Sequence, residues 1–405
     1  MPRKNATTAR MATGLAAALL LMALTAACAP LAIPDTPPPT ETAESRNASA
    51  PATTRADGPA ALLRYIPDTS NYRSFTTYGD YAAWLKAWEI DPPADIDAVK
   101  SLPETERERW LFTMPSQTTP PQALGIDNLT EPVAEHYGFS FFDRSRYLEA
   151  GNPPETLTVT ASGDGDGAIA SALLATGYAS APAAPPFTLY SIRDDYAIDI
   201  NSPLRIGRLG ELNRIAVSEE MVLIGRATEV VENGLEAADA GTSLADAPDM
   251  QALLRSLDAP ELTSAGTLVG LILTNESFTP DIAGLLLGND PVEEIEAQWD
   301  ALFNQEPRLP IYLLTGFATY RAPDATYLAL HVVFPIAEDA TDGAEILAER
   351  MANYISFVTE APLPWTLESA FIDEATTVIV MRLDESAVLS WIDLFARRDT
   401  VFLVN

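Results

Sequence analysis

Strand-like apolar patterning recurs along the chain at 157–161, 187–192, 213–217, 221–226, 267–273, 311–319, 326–334 and 376–383. The clearest case is 328–334, where Leu328, Leu330, Val332 and Phe334 alternate onto one side and leave Ala329, His331 and Val333 on the other; a period of two marks a strand with distinct faces. Short polar stretches between neighbouring segments predict hairpins, one around Ser218-Glu219-Glu220 and one across Ala322-Pro323-Asp324. A final strand is expected at 400–404.

Other stretches have helical spacing. Tyr81, Trp84, Leu85 and Trp88 share one face of a short helix over 80–89, which Pro92 and Pro93 terminate. Ile169, Ala172, Leu173 and Thr176 define a helix stopped by Gly177. An Ala-rich helix follows over 228–238, and another over 243–257. Further helices are predicted at 292–303 (Ile295, Trp299, Leu302), 342–358 (Leu347, Met351, Ile355) and 385–396 (Val388, Trp391, Phe395). Asp342 and Glu345 are placed as a capping pair for the 342–358 helix.

Hairpins mixed with helices predict an α+β fold: two lobes of mixed or antiparallel sheet with packed helices, ferredoxin-like being one form this takes. The expected divisions are an aromatic-rich segment over 60–150, broken by Pro92-Pro93, Pro115 and Pro120-Pro121, then lobes over 151–260 and 261–405. The lobes share a strand, acidic turn, helix, strand pattern with little residue identity, so a duplication is only weakly supported.

The first sixty residues carry a different signal. Arg3, Lys4 and Arg10 precede an uncharged run from Met11 to Ala27, and Leu24-Thr25-Ala26-Ala27 leads into Cys28, the only cysteine. A positive start, an apolar middle and small residues at the end are the parts of a secretory signal, expected here over 1–27. The thiol at its end resembles the lipobox of bacterial lipoproteins. That resemblance implies cleavage before Cys28, a diacylglyceryl group on its sulfur and an extracytoplasmic, membrane-anchored protein. The usual leucine three residues before the cysteine is displaced: Thr25 holds that place and Leu24 lies one further back. Two other readings stay open, an ordinary cleavage that releases an unmodified thiol and an uncleaved anchor at the short limit for spanning. From 28 to 59 the chain is rich in Pro, Thr, Ala and Ser, a composition that cannot bury enough surface to order itself and reads as a tether.

Charge narrows the partners. The chain carries 57 acidic against 25 basic residues, and cleavage before Cys28 takes its formal charge from −32 to −35. Such a surface repels phosphate backbones, so no nucleic acid is expected, and the lipid is the one expected membrane contact. Cations, basic peptides and neutral ligands fit it. No later stretch reaches eighteen uninterrupted apolar residues, so the body is expected to be soluble.

The chemical inventory is short. A His-dependent triad has only His136 and His331 to draw on, and His331 reads as a structural or surface side chain of its strand. Gly241-Thr242-Ser243-Leu244-Ala245 lacks the preceding strand a nucleophile elbow needs, so Ser243 pairs with Asp246 as a helix cap. Asp164 and Asp166 are weak candidates for calcium, since a twelve-residue loop counted from Asp164 ends on Ala175 rather than glutamate. No cofactor is expected. The aromatic cluster Tyr65, Tyr72, Phe75, Tyr78, Tyr81, Trp84 and Trp88 reads first as core packing; Tyr72, Phe75 and Tyr78 lie outside the 80–89 helix and are the candidate lining of a ligand groove. The leading expectation is an envelope lipoprotein that binds or scaffolds, with an envelope protein or small ligand as partner. The alternatives are a carboxylate-dependent hydrolase and a transporter's solute-binding lipoprotein.

Overall fold

The computed structural model describes residues 58–403 apart from 127–128, 130–131, 162–165, 203, 277–305, 357–358, 385–386, 388 and 398. Twelve strands form a single antiparallel sheet: β1 Thr76–Asp80, β2 Arg146–Ala150, β3 Leu157–Ala161, β4 Ala179–Pro182, β5 Thr188–Ser191, β6 Arg214–Val217, β7 Met221–Gly225, β8 Thr267–Thr274, β9 Leu314–Arg321, β10 Thr326–Val333, β11 Trp365–Asp373 and β12 Thr376–Leu383. Their spatial order is β11-β12-β10-β9-β8-β1-β2-β3-β7-β6-β5-β4.

The fold is therefore α+β, with antiparallel ladders throughout. The sheets of the two lobes are continuous. β1 and β2, from the aromatic-rich segment, sit between them, with Tyr78 opposite Leu271 of β8 on one side and Leu148 of β2 on the other. The ferredoxin-like element is present once: β10 and β11 are joined through a helix, with β12 inserted between them. In the 151–260 half, three strands separate β3 from β4 instead. The solute-binding class calls for parallel sheets, which these ladders are not.

Both faces of the sheet are covered. On one face a single apolar layer runs from Leu157 and Leu223 through Leu271 and Leu314 to Val378. Helices α4 (Thr228–Ala240) and α5 (Pro248–Leu257) pack there through Val230, Val231, Leu253 and Leu254. The opposite face carries two layers. Under β2, β6 and β7, Trp84 of α2 (Tyr81–Ala87), Ile169 and Leu173 of α3 (Asp166–Thr176) and Trp110 bury their side chains. Under β9, β10 and β12 lie Leu347 and Met351 of α6 (Ala337–Ala352) and Trp391 of α7 (Trp391–Arg397).

The observed elements depart from the sequence reading at several places. α6 starts at Ala337, with Pro335 just before it and Glu338 and Asp339 in its first turn, so Asp342 and Glu345 lie inside the helix rather than capping it. In place of the strand expected at 400–404, its described part holds a 3-10 turn at Val401–Leu403. α7 begins at Trp391, after a Ser390–Asp393 cap in which the Ser390 amide donates to Asp393 Oδ2 (3.0 Å). The 243–257 helix is split into a 3-10 turn at Leu244–Asp246 and α5, with Pro248 at the helix start where it lacks only an unneeded donor. The 292–303 helix lies outside the described residues. Strands β1, β2, β4 and β11 were not expected from the pattern.

Candidate functional site

An open cleft of about 600 Å³ lies between the short helix α1 (Ser70–Ser74) and α4. Local sequence explains its walls. The chain entering α1 is tied to the far end of α4, because the Asp68 amide donates to Thr242 O (3.3 Å) and the Leu244 amide to Ile66 O (2.7 Å). Asn71 then fastens α1 to the turn after β2: its Nδ2 donates to Glu155 O (3.1 Å), and its Oδ1 accepts from the Asn152 amide (3.1 Å). That turn requires Gly151, which has φ +86° and whose missing Cβ leaves room for Asn71 and Tyr72.

Tyr72 and Tyr196 give the cleft its aromatic surface, and Glu155, Glu229 and Glu236 give it charge; none of its lining residues is basic. The Tyr196 hydroxyl donates to Glu229 Oε1 (2.9 Å). Tyr196 holds a left-handed backbone (φ 59°), unusual for a bulky residue and of the kind that concentrates at ligand clamps. Burial, with added repulsion from Glu155 and Glu229, pushes the Tyr72 hydroxyl up to about 12. The Tyr196 hydroxyl is raised by burial, then by its hydrogen bond to Glu229 and the negative field of Glu229 and Glu155. Burial is the larger cause for both phenols, and Glu155 and Glu229 add to it in each case. Aromatic faces beside exposed carboxylates suit an ammonium or guanidinium group.

The three aromatics expected to share a groove do not come together. Tyr72 is buried at the cleft. Phe75 turns to the other face of the sheet and meets Phe395 edge-on, with ring centroids 6.2 Å apart. Tyr78 is buried within β1 and lines a separate hollow of about 490 Å³ with Asp80, Lys86 and Arg146. The switch between Tyr72 and Phe75 follows from the change from helix to strand at 74–76. Tyr196, Glu229 and Glu236, which complete the cleft, carried no local signal because they lie on a loop and a helix far from α1 in sequence.

Other sequence candidates have structural surroundings. Ser243 and Asp246 form the expected cap, with Ser243 Oγ donating to Asp246 Oδ2 (2.6 Å). His331 is fully buried between β10 and α5, with Nδ1 2.7 Å from Ser256 Oγ, and burial lowers it to about 3. His136 ends a short helix at Val133–Tyr137, and its carbonyl accepts from Thr176 Oγ1 (2.6 Å). Asp195 accepts from the Thr228 amide (2.8 Å) at the start of α4 and pairs with Arg214 (2.6 Å). Asp164 and Cys28 lie outside the described residues, and Asp166 opens α3. Among the described residues, no group of three His, Cys, Asp or Glu side chains is placed to hold a metal ion.

A second acidic group is buried on the opposite face. Glu149 accepts from Thr158 Oγ1 (3.0 Å), and Arg226 reaches Glu211 (3.5 Å). Burial is the main reason both carboxyls are held above the usual carboxylate range.

No family model matches the chain, and no curated protein matches it. Solved structures similar to it include crystal forms III, I and IV of TP0453, at 7%, 11% and 9% identity. They cover 83%, 84% and 83% of this chain and 97%, 98% and 94% of those chains, with TM-scores of 0.35, 0.35 and 0.33. Among the described residues no helix is long and apolar enough to cross a membrane.

Proposed function

We propose that the chain is a membrane-tethered binding protein of the cell envelope, whose cleft between α1 and α4 receives a cationic group. The cleft itself carries this reading: two tyrosines and three glutamates line it, and no basic side chain competes for the acids. The leader ending at Cys28 supplies the address, and the Pro-rich tether supplies reach. An overall acidic surface adds long-range attraction for a cation and speeds its capture at low ionic strength.

Calorimetric titration of the full chain with spermidine and with a short oligolysine peptide tests the cleft. Saturable binding is expected to weaken about tenfold in Glu229→Gln, from the loss of one carboxylate, about 1.4 kcal/mol. Equal affinity in Glu229→Gln and the parent would remove the cleft as the site. The address is tested separately by mass measurement of the native N-terminus, where a diacylated cysteine is expected and an unmodified sulfur or a retained leader would overturn it.

The second reading, a carboxylate hydrolase, draws on Glu155 and Glu229, which line the same cleft. Turnover of an envelope substrate, abolished by Glu229→Gln, would favour that reading over simple capture.

A further inference from the structure

Trp88, Arg109 and Arg321 meet at one place although they are far apart in the sequence. The Arg109 guanidinium carbon lies 4.6 Å from the Trp88 ring centroid, and that of Arg321 lies 3.8 Å from it. Trp88 follows α2, Arg109 opens a π-helical turn at Arg109–Thr113, and Arg321 ends β9. All three are half-buried and reach solvent.

Two guanidiniums converge at this point in a strongly acidic chain. With acids outnumbering bases more than twofold, Arg73, Arg193, Arg214, Arg226 and Arg255 each hold a carboxylate. Arg109 and Arg321 hold none among the described residues. Asp324, which acts on Arg321 through its field, pairs instead with Arg382 (3.7 Å). The two guanidiniums are within about 8 Å of each other, no farther than the Debye length at physiological salt, so their repulsion is only partly screened. Arg321 is lowered by burial and then by the Arg109 charge. Arg321 makes only long contacts, to Thr326 Oγ1 (3.4 Å) and Pro323 O (3.3 Å). Its Nε and the indole Nε1 of Trp88 are buried donors without an acceptor.

We propose that Trp88, Arg109 and Arg321 form a binding site for a phosphoryl group. One ligand supplies what the cluster lacks, negative charge to balance two guanidiniums whose side chains reach solvent. A carboxylate brings a single charge to two guanidiniums, whereas a phosphoryl dianion balances both and matches the guanidinium fork. Trp88 holds the two cations in place by cation–π attraction, so the site is ordered before the anion arrives. It is distinct from the acidic cleft, since none of its three residues lines that cleft, and it does not depend on the cleft's role.

The test uses the full chain at low ionic strength with inorganic pyrophosphate, with vesicles containing phosphatidic acid, whose phosphomonoester headgroup can carry two charges, and with acetate, each followed by calorimetry and by the shift in melting temperature. Pyrophosphate or the vesicles bind saturably and raise the melting temperature, and the two arms separate a free phosphate from a lipid headgroup as the source. Arg109→Gln and Arg321→Gln each lose binding at least tenfold, while Arg64→Gln, a cation stacked on Tyr65 elsewhere, leaves it unchanged. Without ligand, Arg109→Gln leaves the melting temperature unchanged or raises it, because a repulsion has been removed. A purely structural stack gives the opposite: a lower melting temperature in Arg109→Gln and no anion effect in the parent. That result, acetate binding as tightly as pyrophosphate, or equal binding in Arg109→Gln, overturns the proposal.

Discussion

Gly79 of β1 and Gly270 of β8 face each other across the centre of the sheet, and a backbone segment fills the space their side chains would take. A Cβ on Gly270 would lie 1.8 Å from Gln117 O, and one on Gly79 would lie 2.2 Å from Thr118 O. The helix Met114–Thr118 is thereby lowered onto the sheet. It is held there by Trp84 Nε1 donating to Gln117 Oε1 (2.8 Å) and by the Tyr147 hydroxyl donating to Thr118 Oγ1 (2.7 Å).

Gly270→Ala therefore forces backbone, not a flexible side chain, to move. A loss of about 1–3 kcal/mol or more is expected from overpacking of this kind. Gly167→Ala is the control: it lies in α3, exposed, with nothing within 4 Å of the added methyl. There the change is neutral or stabilises by about 0.4–1 kcal/mol. Urea denaturation of both variants decides the matter, and equal midpoints would refute the close approach.

Arg73 fastens α1 to the start of α5. Its guanidinium donates to Asp249 through Nη1 (2.6 Å) and Nη2 (3.2 Å), and it also holds Asp68 through Nε and Nη2. The fork makes four bonds to the two carboxylates, more than the three donors of an ammonium can supply, so Arg73→Lys keeps the charge and loses the geometry. The expected destabilisation is about 1–2 kcal/mol, persisting in high salt because the group is mostly shielded from solvent. A variant whose stability matches the parent at every salt concentration would show the pair to be idle.

Gly151→Ala tests the cleft wall. The residue has φ +86°, and its added methyl would meet Asn71 Nδ2 at 2.7 Å, Glu155 O at 2.7 Å and Tyr72 Cδ1 at 2.8 Å. Both strain and crowding act on residues that shape the cleft. The expected result is a loss of about 1–3 kcal/mol together with weaker cation binding. Unchanged affinity for spermidine and oligolysine would separate the wall from the binding surface.

Sequence pattern was most informative where burial follows a regular period. β10 shows Leu328, Leu330 and Val332 on one layer and Tyr327, Ala329 and Val333 on the other, so its pattern and its environment coincide. β1 offered no such pattern in Thr76, Thr77, Tyr78 and Gly79, and the helix lying on the sheet explains why a central strand carries Gly79. β4 and β11 are edge strands with mostly exposed side chains, where hydrophobic alternation has nothing to enforce it. The sites were less legible still. Tyr72 was visible as an aromatic outside a helix. Its partners Tyr196 and Glu229, and the trio Trp88, Arg109 and Arg321, come together only through tertiary structure.

His331 provides the pH test. It is wholly buried, and the one proton of the Ser256 hydroxyl goes to Leu253 O (2.7 Å). The imidazole therefore donates through Nδ1 to Ser256 Oγ, and Nε2 is left without a partner. Burial lowers the folded-state value to about 3, below the ordinary 6.5. The unfolded chain then binds a proton that the folded chain refuses. The contribution is intact above pH 6.5 and is lost as pH falls from there toward 3, with about 2 kcal/mol gone by pH 5. Glu149 and Glu211 act in the opposite sense: their raised carboxyls favour the folded state as acid is added, most strongly below the ordinary 4.5. Comparing His331→Leu with the parent at each pH cancels their share. The difference in unfolding free energy between the two proteins is expected to shift by about 2 kcal/mol in favour of the variant between pH 7 and pH 5. Parallel stability curves across that interval would mean that the imidazole takes up its proton within the folded core.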